Sequence, residues 1–372
     1  MIPFEIIPKI LQFDQCKECC DYFQIGKGDL VFISDQTYDQ YFSEYIDGGA
    51  YFVNYRKYVK GEPTDVMVEK IYSDIKEYQF TRVFGIGGGT ILDVAKLFAL
   101  KTMVPVVSLF NKELEIKKEK ELILIPTTCG TGSEVTNISI LELTSIQSKF
   151  GLAVDELYAD YAVLIPELLN NLPMKVFATS SIDALIHAIE SYTSPKASEF
   201  TKLYSKKAMS IILSGYKIIA EKGDEARKPL LKDFLVASTF AGIAFGNAGC
   251  AAVHAMSYPL GAKYHVPHGE ANYVMFTEVY KTYQSINPNG AIRELNEFLA
   301  SIIKCNVDEI YNEIEKLLQC IITRKALREY GVSENDLEDF VDTVMTKQMR
   351  LIANNYVPLS KKQILTIYKK LY

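Results

Sequence analysis

Histidine is scarce in this chain: there are four in 372 residues, and three of them lie between Val253 and Glu270. A basic excess is also missing. Lys and Arg (40) are outnumbered by Asp and Glu (46), and a net charge of −6 leaves no field to attract nucleic acid. The short lysine groups at Lys117, Lys118 and Lys120 and at Lys361 and Lys362 read as solvated surface. No apolar run reaches the length of a bilayer crossing, and MIPFEIIPKI has neither the basic segment nor the long apolar core of a secretory leader. A cytoplasmic protein without a membrane partner is the expectation. The seven cysteines are odd in number and scattered, which argues against a disulfide framework. The C-x2-C of Cys16 and Cys19 has no second half to complete a zinc site, so these two and Cys20 are expected as reduced thiols on a helix. Repeats and low-complexity linkers are absent too. What is present, 48% apolar and 23% charged residues, suits a globular enzyme with room for two cores.

Along the first half, strand and helix signals alternate. Apolar residues from Phe4 to Phe13 recur at strand spacing, and Pro8 among them predicts an edge strand. QCKECCDYF reads as a helix ending before Gly26. LVFISD (Leu30 to Asp35) reads as a buried parallel strand that presents Asp35 at its carboxyl end, a candidate to bind a ribose. YFVNY is another strand, and GEPTDVMVEKIYSDIKEY a helix opened by Pro63 and Thr64. TRVFGIGGGTILDVAKLFAL gives a strand, then Gly87, Gly88 and Gly89, then a helix opened by Thr90 with Asp93 at capping-box spacing. Glycines let backbone approach a pyrophosphate, and the helix N-terminus that follows stabilises its charge. ELILIPTTCGTGSEVTN repeats the logic, with a strand ending at Pro126 and a loop of small hydrogen-bonding residues from Thr127 to Ser133. These features predict a nucleotide-binding α/β domain over residues 1–173.

After Pro173 the strand signals stop. Helices are predicted over Lys175–Tyr192, Glu199–Glu221, Ala226–Phe245, Val307–Cys320 and Leu337–Ala353, giving an all-helical domain over residues 174–372. In it, His187 lies four residues after Asp183, which puts a carboxylate and an imidazole on one helix face. His254 ends the run GNAGCAAV, read as a tightly packed helix, and His268 follows Pro259, Gly261 and Pro267, read as helix stops. The two rings can therefore converge from different directions. Each histidine alone reads more simply as an ordinary core or surface group. As a set, one carboxylate and three imidazoles suit a divalent first-row metal with positions open for substrate. The glycine loops fall in one predicted domain and the metal residues in the other, so the active site is expected in the cleft between them.

On these residues the chain resembles the iron-dependent (group III) alcohol dehydrogenase family. GGGTILDVAK is similar to that family's G-G-G-S-x-x-D-x-A-K, PTTCGTGSE to its second nucleotide loop, and DALIHAIESY with HAMSYPLGAKYHVPHG to its ligand pattern, with a match running on to NNYVPLSKKQILTIY. The resemblance implies NAD as hydride carrier, Fe²⁺ as metal with Zn²⁺ as an alternative, and a homodimer or higher homo-oligomer. It implies Asp183, His187, His254 and His268 as metal ligands, and Gly87, Gly88, Gly89 and Thr90 at the pyrophosphate. Thr127, Thr128 and Lys149 fall in the cofactor cleft and Asp35 on the ribose. Thr90 replaces the family's serine and keeps a hydroxyl. Tyr258 stands where many members place a histidine that relays protons. Within the family the likeness is to members acting on 4-hydroxybutyrate, which implies an alcohol/aldehyde pair carrying a remote carboxylate, 4-hydroxybutyrate and succinate semialdehyde. Lys263 and His265 are the nearest candidates in sequence for the anchor and for a titrating group, and solvent-facing loop residues otherwise. Other small alcohols or diols, such as 1,3-propanediol or butanol, are the alternative substrates. A lyase of the dehydroquinate synthase type would call for Glu, His and His with a basic phosphate cluster, and a non-catalytic sensor would not need the full ligand set.

Overall fold

The structure, a computed structural model, describes residues 3–46, 48–58, 63–145 and 148–372. Apolar runs in the first half fold as strands buried on both faces, as a covered parallel sheet requires. In chain order the elements are β1 (Lys9–Gln12), α1 (Cys16–Phe23), β2 (Asp29–Ile33), α2 (Asp35–Tyr41), β3 (Tyr51–Asn54), α3 (Asp65–Ile75), β4 (Arg82–Gly87), α4 (Gly89–Phe98), α5 (Val106–Phe110), β5 (Glu121–Pro126), β6 (Ile138–Leu143), β7 (Ser148–Ala153) and β8 (Tyr161–Leu164). Six strands form one sheet in the order β1-β8-β5-β4-β2-β3, and every neighbouring pair is parallel. β6 and β7 make a separate antiparallel pair. From β2 the chain moves outward to β3, then returns to place β4 on the opposite side of β2. The strand order therefore reverses between β2 and β4, the place where open α/β sheets bind ligands beyond their carboxyl ends.

Several elements differ from their sequence expectations. β1 is an edge strand, but it begins only at Lys9, directly after Pro8. Gly61 and Glu62, which open the segment predicted as a helix, lie outside the described residues; α3 itself starts at Asp65 with Thr64 Oγ1 accepting from Met67 N–H. α4 starts at Gly89 with Gly88 as its cap, so Thr90 lies inside the first turn and Asp93 does not cap. The Asp93 carboxylate instead accepts from Ser133 Oγ (2.6 Å) and from Ile140 N–H (3.1 Å). Fully buried Lys96 donates to Ser133 Oγ and to the Ile138 carbonyl (both 2.7 Å) and lies 3.4 Å from Asp93. Burial pushes the Asp93 carboxyl up and the Lys96 ammonium down, and each group's charge counters the shift of the other. Lys118 is not solvated surface, since it donates to the Tyr158 carbonyl (2.8 Å) and lies 2.6 Å from Asp160. Lys361 and Lys362 are exposed. On α1, Cys16, Cys19 and Cys20 are buried free thiols, and burial pushes that of Cys20 up to about 12.

The second half is helical: α6 (Met174–Thr193), α7 (Glu199–Lys222), α8 (Leu231–Ala248), α9 (Ala252–Tyr264), α10 (His268–Ile286), α11 (Ala291–Ile303), α12 (Ile310–Ile321), α13 (Glu334–Lys347), α14 (Met349–Ile352) and α15 (Lys361–Leu371). The chain divides into two compact units, Ile6–Leu172 and Pro173–Tyr372, and the N-terminal residues through Glu5 cluster with the second. Phe4 stacks on Phe200 and Tyr204, and Asn247 bonds both backbone groups of Glu5, which is why this end leaves the α/β unit. α6 is buried on all sides from Ser181 to Thr193, the mark of a central helix. GNAGCAAV is not one helix. α8 closes at Ala248, Gly249 turns the chain at φ +78° with its N–H on the Phe245 carbonyl, and α9 begins at Ala252. Pro259 does not stop α9 either, because burial of Ala255, Met256, Pro259 and Leu260 outweighs one lost hydrogen bond. The helix predicted over Leu337–Ala353 is two, α13 and α14. One stretch, Asp224–Ala248, is after all long and apolar enough to cross a bilayer, but 56% of its most apolar window is buried inside the protein.

Replacing Asp93 with Ala strands the buried Lys96 ammonium and should lower the stability of the α/β unit by about 3 kcal/mol. Cutting the exposed pair Lys70–Asp74 with Lys70→Ala should leave the denaturation midpoint nearly unchanged, and chemical denaturation of the two variants side by side measures the contrast.

Candidate metal centre and nucleotide-binding loops

α6 carries Asp183, His187 and Glu190 at spacings of four and three, one stripe along its buried length. Two further helix starts meet that stripe. α9 brings His254 in its first turn, and α10 brings His268 as its first residue. A Cβ on Gly269 would lie 2.3 Å from the Thr179 carbonyl oxygen, so glycine at that position is what allows α10 to begin directly against α6. The result is a donor set of Asp183, His187, His254 and His268 whose ligand atoms all lie within 4.8 Å of one another. Asp183 Oδ1 is 3.7 Å from His254 Nε2 and 3.9 Å from His268 Nε2. A tetrahedron of ~2.1 Å bonds has edges of about 3.4 Å, so small side-chain adjustments suffice for a metal to fit.

Polar contacts around this set hold its side chains in place, and Asn272 Nδ2 lies 3.2 Å from His268 Nε2. His254 Nδ1–H donates to Glu190 Oε2 (2.5 Å), which leaves Nε2 as the free electron pair. That Nε2 is buried and has no hydrogen-bond partner among the described residues, a cost that a bound cation removes. The His187 ring stacks on Phe245 (centroids 4.1 Å apart), and Asn272 Nδ2 donates to Asp183 Oδ1 (2.7 Å). Burial alone would raise the Asp183 pKa, but the fields of His187, His268 and His254 outweigh it and hold the carboxyl below its ordinary range. A second group, Glu190, Cys250 and His254, is equally close-set. Its carboxylate is already committed, because Glu190 also accepts from the backbone N–H of Ala251 (3.0 Å) and Val253 (2.7 Å). Glu190 therefore caps α9 and orients His254 together. Neither Glu190 nor Asn272 was singled out from sequence, although both are spaced to be seen: Glu190 three residues after His187, Asn272 four after His268.

Of the other residues singled out, Tyr258 lies beside the cluster, its ring centroid 5.9 Å from that of His268. Burial raises its phenol further above neutral pH. Lys263 is not brought to the cluster. It is exposed and ion-paired with Asp336 on α13, whose other oxygen accepts from Tyr264 Oη. His265 is exposed at the left-handed C-cap of α9 (φ 53°).

In the α/β unit, Asp35, the glycine loop and the loop after Pro126 follow the carboxyl ends of three adjacent strands, β2, β4 and β5. Asp35 opens α2 and is exposed, with Ser34 as the cap. Thr127 N–H donates to the Gly87 carbonyl (2.9 Å), tying the two loops together. A Cβ on Gly89 would lie 2.7 Å from the Thr131 side chain, so any other residue would push Thr131 aside, and Thr128 flanks Gly88. Lys149 is half-buried on β7, across from Glu142. The loops leave backbone N–H groups at the start of α4, as a phosphate site needs.

Residues 13–166 match the model of the iron-containing alcohol dehydrogenases, and residues 177–372 match the C-terminal model of the Fe-containing alcohol dehydrogenase family. The 4-hydroxybutyrate dehydrogenase of Clostridium kluyveri is 49% identical over 368 residues, 99% of each chain. Long-chain-alcohol dehydrogenase 1 of Geobacillus thermodenitrificans is 34% identical over 322 residues, 83% of this chain and 79% of the relative. Among solved structures, sulfoacetaldehyde reductase from Bifidobacterium kashiwanohense in complex with NAD⁺ has the same fold, with a TM-score of 0.85 at 23% identity over 100% of this chain and 98% of that one. A 1,3-propanediol oxidoreductase also superimposes with a TM-score of 0.85, at 22% identity over the full length of both chains. The α/β sheet with its paired loops and the helical unit with its Asp-His-His-His set thus have one explanation: the chain belongs to the iron-containing alcohol dehydrogenase family.

Proposed function

We propose that the protein is a metal-dependent, NAD-linked dehydrogenase that interconverts 4-hydroxybutyrate and succinate semialdehyde. The observation that carries the substrate is the 49% identity over 99% of the chain to a 4-hydroxybutyrate dehydrogenase. The chemistry rests on the Asp183, His187, His254 and His268 set. A divalent ion held there, iron(II) first and zinc as a substitute acceptable to the same donors, supplies Lewis acidity to the substrate oxygen, and NAD supplies the hydride acceptor.

The chain's own groups prepare that chemistry. Glu190 fixes the His254 tautomer, and Asn272 holds in place the Asp183 oxygen that lies near His254 and His268. Tyr258 Oη keeps its proton at neutral pH, so it lines the site rather than acting as a base. The N–H groups that begin α4 suit the cofactor's pyrophosphate, Asp35 its ribose, and Thr127, Thr128 and Lys149 complete the cofactor reading. A homodimer is the expected assembly. It is supported by the open edge of β1, where Ile10 (42%) stands exposed, and by exposed Ile7 (52%) just ahead of that strand. Free thiols at Cys16, Cys19 and Cys20 fit the reducing cytoplasm.

Three outcomes are expected. His268→Ala should lose bound metal and NADH formation together, and elemental analysis of the purified variant checks the first independently of the second; activity surviving in metal-free protein would contradict the reading. Glu190→Gln keeps the shape but cannot accept from Ala251, Val253 and His254 at once, so its metal affinity should fall about 10- to 100-fold in a chelator titration. The wild type should favour NADH over NADPH because the Asp35 carboxylate repels a 2′-phosphate, and Asp35→Gly should narrow that preference; comparable kcat/KM for both cofactors in the wild type would remove Asp35 from the role.

A further inference from the structure

We propose that Arg350, on α14, is the anchor for the substrate's remote carboxylate, a specificity role that rests on the 4-hydroxybutyrate reading above. That reading needs a cation near the metal cluster. Lys263 is engaged by Asp336, and Lys175, at the start of α6, pairs with the Glu270 carboxylate at 2.9 Å. Arg350 is exposed and has no acidic or hydrogen-bonding partner among the described residues.

Its placement follows from packing. α14 rests on α9, the helix that carries His254 and Tyr258. Tyr258 follows His254 by four residues on α9, and its ring lies beside that of His268 with centroids 5.9 Å apart, so the helix that α14 rests on carries a donor of the cluster and a side chain that lines it. The segment is held firmly. Asn354 Nδ2, one turn past Arg350, donates to the carbonyls of Ala248 (2.9 Å) and Cys250 (3.2 Å), while Ser194 Oγ donates to Asn354 Oδ1 (3.0 Å). Those carbonyls belong to the turn between α8 and α9, directly ahead of His254. The backbone bearing Arg350 is thus tied to the backbone bearing a metal ligand. A guanidinium offers two parallel donors to a carboxylate, the geometry that discriminates an ω-hydroxy acid from the corresponding diol.

The test compares 4-hydroxybutyrate with 1,4-butanediol, in wild type, R350M and R350K, with metal content measured in each. Arg350 as the anchor predicts that R350M raises KM for the acid about 10- to 100-fold. For the diol, kcat/KM should fall by less than about threefold at unchanged metal content, and R350K, which keeps the charge but not the fork, should lie between. Equal losses on both substrates, or an unchanged KM for the acid, would overturn the role of Arg350 while leaving the substrate reading intact. A wild type that oxidises the diol but not the acid would overturn the substrate reading itself, and the anchor with it.

Discussion

The second half of this protein depends on one buried carboxylate. Glu190 is fully enclosed on the central helix, and its two oxygens receive the N–H groups of Ala251 and Val253 and the Nδ1–H of His254. A negative charge at a helix N-terminus is favoured by the helix dipole and by unsatisfied N–H groups, so Glu190 sets where α9 starts. The same contact decides which nitrogen of His254 carries a proton. Helix geometry and ligand chemistry are therefore one constraint: moving α9 would also turn the lone pair of His254 away from Asp183.

Around that contact the remaining candidate donors are placed by close approach rather than by loops. Gly269 lets α10 begin against the Thr179 carbonyl, which brings His268 over Asp183, and Asn272 one turn later holds the Asp183 oxygen. Helices place side chains more rigidly than loops do, which suits a site whose donors must converge within a few ångströms. The α/β unit uses the same economy of glycine, at Gly89 against Thr131, to bring together the loops after β4 and β5, next to the reversal of strand order.

Much of this was legible in the sequence because the signals were local. The Val-, Ile- and Leu-rich strands, the glycine run at Gly87–Gly89 and the four-residue spacing of Asp183 and His187 each declare themselves within a few residues. What could not be read was decided by contacts between distant segments. Asp93 looked like a cap because its spacing from Thr90 fits one, yet in the fold it meets Ser133 and Ile140, and Lys96 shares that buried network. Pro259 looked like a stop, and burial carried the helix through it. Lys263 was the nearest cation in sequence to two ligands, but Asp336, far along the chain, claims it. Glu190 was hidden for a different reason: a glutamate in a helix is usually a surface residue, and only the burial of α6 on all sides makes it structural.

If the carboxylate of Asp183 and three imidazoles hold the metal, Glu190 stays outside the coordination shell and Cys250 goes unused. X-ray absorption spectroscopy of zinc-loaded protein tests that assignment directly, because the two overlapping donor groups differ in sulfur. Oxygen and nitrogen scatterers at about 2.0–2.2 Å with the outer-shell pattern of imidazole rings are expected. A sulfur scatterer at about 2.3 Å would place Cys250 on the metal and contradict the role assigned to Glu190.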